Sequence, residues 1–124
     1  MNLTITGNLT TDLEVRTTPN ATFARGTIAS NRRWKGTDGQ TKEEVVFLPV
    51  VIWGDQATNA AESVRKGDRV VAVGRLQQRS WETDTGERRQ RIELVVEEIG
   101  PSLRWRTASV ERSKARAADA DPLF

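Results

Sequence analysis

A chain of 124 residues has room for one compact domain and too little for two comfortable ones. It contains no cysteine and no histidine, which excludes a disulfide framework, a thiol nucleophile and the two usual ligands of a zinc site; no metal or cofactor is expected. A net charge of +2 makes no strong global field, so any site for a polyanion has to come from local clustering.

With 36% hydrophobic and 29% charged residues, the composition suits a small water-facing β fold or a domain with a polar tail. No apolar run reaches the length that spans a bilayer, and Met1-Asn2-Leu3-Thr4 lacks the charged start and apolar block of a secretory signal. The cytoplasm is the expected compartment.

Period-2 alternation broken by turn chemistry dominates the body of the chain and predicts strands. Leu3 to Leu9 is short and β-rich, and Glu14 to Thr17 is a short strand before the turn at Pro19-Asn20. Thr22 to Trp34 is a long strand, with Phe23 and Ile28 expected to anchor it in the core. Gly36 to Gln40, with Asp38-Gly39, reads as a hairpin loop. Glu44 to Trp53 is the most hydrophobic strand; its Pro49 cannot donate to a ladder and belongs at an edge, a bulge or a bend around a barrel.

Asp55 to Lys66 breaks the rhythm. Ala57, Ala60, Ala61 and Val64 fall at helical spacing, an aspartate stands at the start to cap it, and Gly67 follows the end. Arg65 and Lys66 would then complement the dipole in its last turn. Arg69 to Trp81 is the next strand, Thr83 to Glu87 a second hairpin loop around Asp84-Thr85-Gly86, and Arg88 to Ile99 the last strand, stopped by Gly100-Pro101. From Thr107 to Phe124 the chain is rich in alanine, serine and charge, and reads as a flexible tail after a domain spanning residues 1–106.

Principal strands in the order three, one helix, then two define an all-β class with one short helix. This is the plan of a five-stranded OB-fold barrel, which takes oligonucleotides on its second and third strands and neighbouring loops.

Three of the four tryptophans stand at or near strand ends beside arginine: Arg32-Arg33-Trp34, Arg79-Ser80-Trp81 and Arg104-Trp105-Arg106. A flat π-face beside a cation that pairs with phosphate is what unpaired bases on a charged backbone require. Trp34, among Arg32, Arg33 and Lys35, is expected to serve binding. Arg75, Gln77, Arg79 and Trp81 share one parity, and Ala72, Gly74 and Leu76 the other, which suits a core. Trp81 divides evenly between binding and shielding a loop. Phe47 and Trp53 share their parity with Val45 and Val51, so the pattern by itself favours the barrel interior for both.

Arg88, Arg89 and Arg91 open the last strand; singly they read as solvated surface, as do Arg25, Arg65, Lys66 and Arg69, and together as a track for phosphates. No catalytic arrangement stands out. Adjacent carboxylates such as Glu43-Glu44 and Glu97-Glu98 point to opposite strand faces, and no phosphate-gripping glycine loop is present.

An ordered series of segments resembles bacterial single-stranded DNA-binding proteins from about residue 3 to residue 100. It comprises Gly7-Asn8-Leu9-Thr10, Asp12-Leu13-Glu14-Val15-Arg16, Ala29-Ser30-Asn31-Arg32-Arg33-Trp34, Val51-Ile52-Trp53-Gly54, Val64-Arg65-Lys66-Gly67-Asp68 and Gly74-Arg75-Leu76-Gln77-Gln78-Arg79-Ser80-Trp81. The resemblance implies an OB-fold homotetramer that wraps single-stranded DNA with little sequence preference, in replication, repair or recombination. It implies base stacking at Trp34, Phe47, Trp53 and Trp81, which reverses the interior reading of Phe47 and Trp53, and basic contacts at Arg79 and Lys66. Asp55 and Pro49 depart from the family, standing where basic residues are found.

The tail departs too. Family tails are long and glycine- and proline-rich, and end in an acidic tip with proline-phenylalanine on which replication and repair enzymes dock. Here Asp121, Leu123 and Phe124 form a variant tip for which weak docking at most is expected, and Ser102-Leu103-Arg104-Trp105 resembles the short-tailed second paralogue of some actinobacteria. The expected protein is thus a non-enzymatic, nucleoid-associated DNA binder. The alternatives are an OB-type protein-docking module, an RNA binder and, more distantly, a metal-assisted nuclease.

Overall fold

The computed structural model describes residues 1–112; Asp121, Leu123 and Phe124 lie outside the described residues. The elements run β1 (Asn2–Leu9), β2 (Glu14–Thr17), β3 (Thr22–Lys35), β4 (Thr41–Trp53), α1 (Asp55–Ser63), β5 (Arg69–Glu82) and β6 (Arg88–Pro101). The sheet order is β1-β5-β6-β4-β3-β2, and a further β1–β3 pairing closes all but β2 into a barrel. β2 is an added edge strand on β3. The five-stranded OB-fold topology expected from the element order is therefore present.

Alternation sets the interior. Ala24, Ile28, Val50, Ile52, Val70, Ala72, Leu94 and Val96 point inward from β3 to β6, and Leu9 joins them from β1. Helix α1 lays Ala57 and Ala60 on this core, their small side chains letting the helix axis come close. Among the described residues no helix is long and apolar enough to cross a membrane.

Three expectations need correction. Phe23 is no core anchor: it is partly exposed on the outward side of β3, because the inward parity of that strand belongs to Ala24 and Ile28. The helix ends at Ser63 rather than Lys66, with Val64 already extended. Carboxylates capture the amides that would have continued it: Arg65 N–H donates to Asp68 Oδ2 at 2.8 Å and Lys66 N–H to Asp12 Oδ1 at 2.8 Å. At the other end the N-cap is Gly54, which has no side-chain cap, while Asp55 lies inside the first turn and complements the dipole there.

Two irregularities shape the wall. Pro49 pairs with Thr27 in an unbroken β3–β4 register, and β6 joins β4 only from Val50 onward, so proline sits where β4 is still an edge on that side. In β6 the register with β5 jumps from Val73–Glu98 to Gly74–Val96, leaving Glu97 as a bulge. The Gln56 side chain of α1 serves the interrupted ladder, donating to Glu97 O at 3.1 Å and accepting from Ile99 N–H at 3.0 Å. Facing the bulge, Gly74 has no room for a Cβ, which would collide with the Val95 carbonyl oxygen.

Candidate nucleic-acid interface

β3–β4 and β5–β6 are each longer than the barrel wall needs. Their inner halves hold the buried residues of these strands, whereas their outer halves, about Asn31 to Val46 and Gln77 to Ile92, are exposed on both faces. Each therefore continues beyond the barrel as a two-stranded arm. The two loops that close the arms share one hydrogen-bond pattern. Gly36 N–H donates to Gln40 O and Gly39 N–H to Gly36 O; Thr83 N–H donates to Glu87 O and Gly86 N–H to Thr83 O. Gly39 and Gly86 have φ of 81° and 84°, a conformation that sequence signals at Asp38-Gly39 and Asp84-Thr85-Gly86 supply without strain.

The arms carry guanidinium on indole. The Arg32 guanidinium lies 5.2 Å from the Trp34 ring centroid, and that of Arg79 lies 5.6 Å from Trp81. In both cases the two residues are next but one on a strand, so they share a face. Each indole beside its cation remains partly exposed, 38% in Trp34 and 39% in Trp81.

Nearer the barrel, Phe47 is 64% and Trp53 49% exposed, which rejects the interior reading that the pattern alone favoured for both. The inward parity of β4 belongs instead to Val50 and Ile52, and Val51 is buried on the outward face beside Arg25 and Val95.

The expected site residues do not form one flat surface. On the β3–β4 ribbon, Phe47 pairs with Ala29, Trp53 with Phe23, Arg33 with Glu43 and Lys35 with Thr41, all on one face; Arg32 and Trp34 occupy the other. A long free ribbon twists, so its tip is aimed differently from its root. On β5, Arg75, Gln77, Arg79 and Trp81 do share the outward face, opposite Val95, Glu93, Arg91 and Arg89 of β6. Lys66 is separate: it lies in the turn before β5, while Trp81 stands roughly 40 Å along that strand at about 3.3 Å per residue.

Local charge is partly compensated. Arg33 approaches Glu43 at 3.7 Å, Arg89 meets Glu87 at 3.1 Å and Arg25 meets Glu93 at 2.9 Å. Arg32, Lys35, Arg75, Arg79 and Arg91 have no ion-pair partner among the described residues. The sequence pattern assigns Phe23 to the core, does not single out the buried Glu93, and treats Arg91 only as one of a cluster. Strand parity, continued across the ladder, was the signal that would have placed Arg91 beside Arg79. Trp105 lies elsewhere, between Arg69 at 4.5 Å and Arg104 at 5.1 Å, near the start of β5. Among the described residues no cluster of carboxylates is placed to hold a metal ion.

An OB-fold barrel whose arms display tryptophan beneath arginine, with further cations unpaired, has the form of a protein that handles single-stranded nucleic acid. Comparison with known proteins agrees: the model of the single-strand binding protein family matches residues 1–102, and the chain belongs to that family. A single-stranded DNA-binding protein of Mycolicibacterium smegmatis is 47% identical over 114 residues, covering 90% of this chain and 69% of that protein. Its counterpart from Mycobacterium tuberculosis is 49% identical over 114 residues, covering 90% of this chain and 70% of that protein.

Among solved structures, the small single-stranded DNA-binding protein from Streptomyces coelicolor superposes with a TM-score of 0.69 at 27% identity, covering 83% of this chain and 94% of that one. A Plasmodium falciparum SSB in complex with ssDNA gives a TM-score of 0.71 at 18% identity, covering 80% of this chain and 90% of that one, a likeness of fold.

Proposed function

We propose that this protein binds and protects single-stranded DNA with little sequence preference and performs no chemistry on it. The observation that carries this reading is the pairing of a partly exposed indole with a guanidinium over its ring on each of two projecting arms. Bases stack on Trp34, Phe47, Trp53 and Trp81, at roughly 1–3 kcal/mol per base. Arg32, Arg33, Lys35, Arg75 and Arg79 neutralise phosphates, with Arg91 beside them. Every base has a π-face and every nucleotide a phosphate, so a surface built from these two contacts tolerates any sequence. Lys66 touches the strand only where the strand continues around the barrel.

Membership of the family supports a cytoplasmic, nucleoid-associated role in replication, repair or recombination, exercised as a homotetramer. Titration with poly(dT) tests the central point. Stacked indoles lose fluorescence, and log affinity falls against log salt by about 0.7 per phosphate contact. Binding with neither quenching nor salt dependence would sink the proposal. Sedimentation with and without oligo(dT) gives the subunit number and the stoichiometry together; a monomer at all concentrations would remove the tetramer.

A further inference from the structure

The root of the β3–β4 ribbon holds a group of side chains that the stacking residues above do not account for. Phe23 pairs directly opposite Trp53, their ring centroids 5.2 Å apart and their planes at 44°. Arg25 is next but one along β3, on the same outward face, with its guanidinium carbon 5.5 Å from the Phe23 centroid. Its Nη1 donates to Glu93 Oε2 at 2.9 Å. The Glu93 side chain is 4% exposed and that of Arg25 32%. Ladder geometry brings them together: Val51 pairs with Arg25 on one side and with Val95 on the other, and Glu93 is next but one from Val95.

A carboxylate this buried has to be paired, and Arg25 is its ion-pair partner among the described residues. The charge of Arg25 is therefore cancelled inside the protein, and little of it is left for a phosphate. What remains on the surface is a flat guanidinium held in one place. Guanidinium, phenyl and indole follow one another along the face, and each of these planes can receive a stacked base.

We propose that Phe23, backed by the Arg25–Glu93 pair, is a base-stacking residue that extends the Trp53 platform by one nucleobase, with Arg25 serving as a neutralised plate and not as a phosphate contact. This rests on the reading that the outward face binds single-stranded DNA. Its ligand is an unpaired nucleobase of any identity.

The test is an oligo(dT) titration over a salt series with the full chain and three variants. Phe23→Leu keeps an apolar contact for Trp53 and removes the π-face. It is expected to weaken binding roughly five- to thirtyfold, the lower part of what one stacked base supplies, at unchanged salt slope. Phe23→Trp restores a π-face and the affinity with it. The double variant Arg25→Gln/Glu93→Gln removes both charges and leaves no buried ion unpaired; it is expected to keep the wild-type slope. A slope shallower by about 0.7 would make Arg25 a phosphate contact and overturn the assignment. Wild-type affinity in Phe23→Leu would overturn the stacking role while leaving DNA binding intact. Failure of the wild-type chain to bind or quench would instead remove the functional reading itself.

Discussion

Arg79 of β5 and Arg91 of β6 stand directly opposite each other on the outward face of their arm, and neither has an ion-pair partner among the described residues. Like charges in this position oppose folding by a few tenths of a kcal/mol up to about 1 kcal/mol. Two cations placed together beside Trp81 make sense where a polyanion comes to lie between them. On the proposed reading, stability of the free protein is traded for attraction toward the strand. Arg91→Gln is therefore expected to raise stability in chemical denaturation by about 0.2–1 kcal/mol while making the salt slope of DNA binding shallower by about 0.7. A variant that lost stability, or kept the full slope, would contradict this assignment.

In the proposed reading the indoles on the arms act by stacking, and they carry no charge. Trp81→Ala and Trp34→Ala should each weaken oligo(dT) binding by roughly 1–3 kcal/mol and leave the salt slope as it is. Both rings are on projecting arms outside the buried core, so thermal unfolding should change little. If assembly were lost and DNA affinity unchanged, these aromatics would belong to a protein interface instead.

The Gln56 side chain satisfies both sides of the β6 bulge. Replacing it with alanine leaves Glu97 O and the partly buried Ile99 N–H without their protein partner. The expected cost is about 1–3 kcal/mol in a denaturant melt, with DNA affinity preserved, since the residue lies on the helix and not on the arms.

Gly74→Ala tests the same region from inside. The new methyl would meet the Val95 carbonyl oxygen and, at 3.0 Å, the Val96 Cα, both backbone atoms that cannot swing aside. Overpacking against a fixed wall should lower stability by at least about 1–3 kcal/mol, read as a fall in the thermal midpoint.

Lys66→Ala separates the barrel end from the arms. For a strand of about ten nucleotides, within the range one OB fold accommodates, affinity and salt slope should match the wild type, because Lys66 precedes β5 and the arm lies at its other end. A shallower slope with so short a strand would bring Lys66 into the primary path.

Much of this molecule was legible as a linear pattern. Alternation located each long strand to within a few residues, Asp38-Gly39 and Asp84-Thr85-Gly86 located both hairpin loops, and parity put Arg75, Gln77, Arg79 and Trp81 on one face of β5. These features depend on neighbours along the chain, and a single strand contains them whole. The helix end is less legible: Asp68, which takes the Arg65 amide, is local, but Asp12, which takes the Lys66 amide, lies more than fifty positions away.

Which face of a strand is inside depends, by contrast, on the side toward which the barrel closes, and β4 alone does not contain that information. Its two parities are both rich in valine, so only the pairing with β3 and β6 decided that Phe47 and Trp53 face outward and that Phe23 joins them. The Arg25–Glu93 pair, the Arg79–Arg91 juxtaposition and the Gln56 contacts at the Glu97 bulge likewise join residues from different elements. Local propensity and turn chemistry determined the strands; closure of the sheet, a long-range event, decided which side chains were left facing solvent.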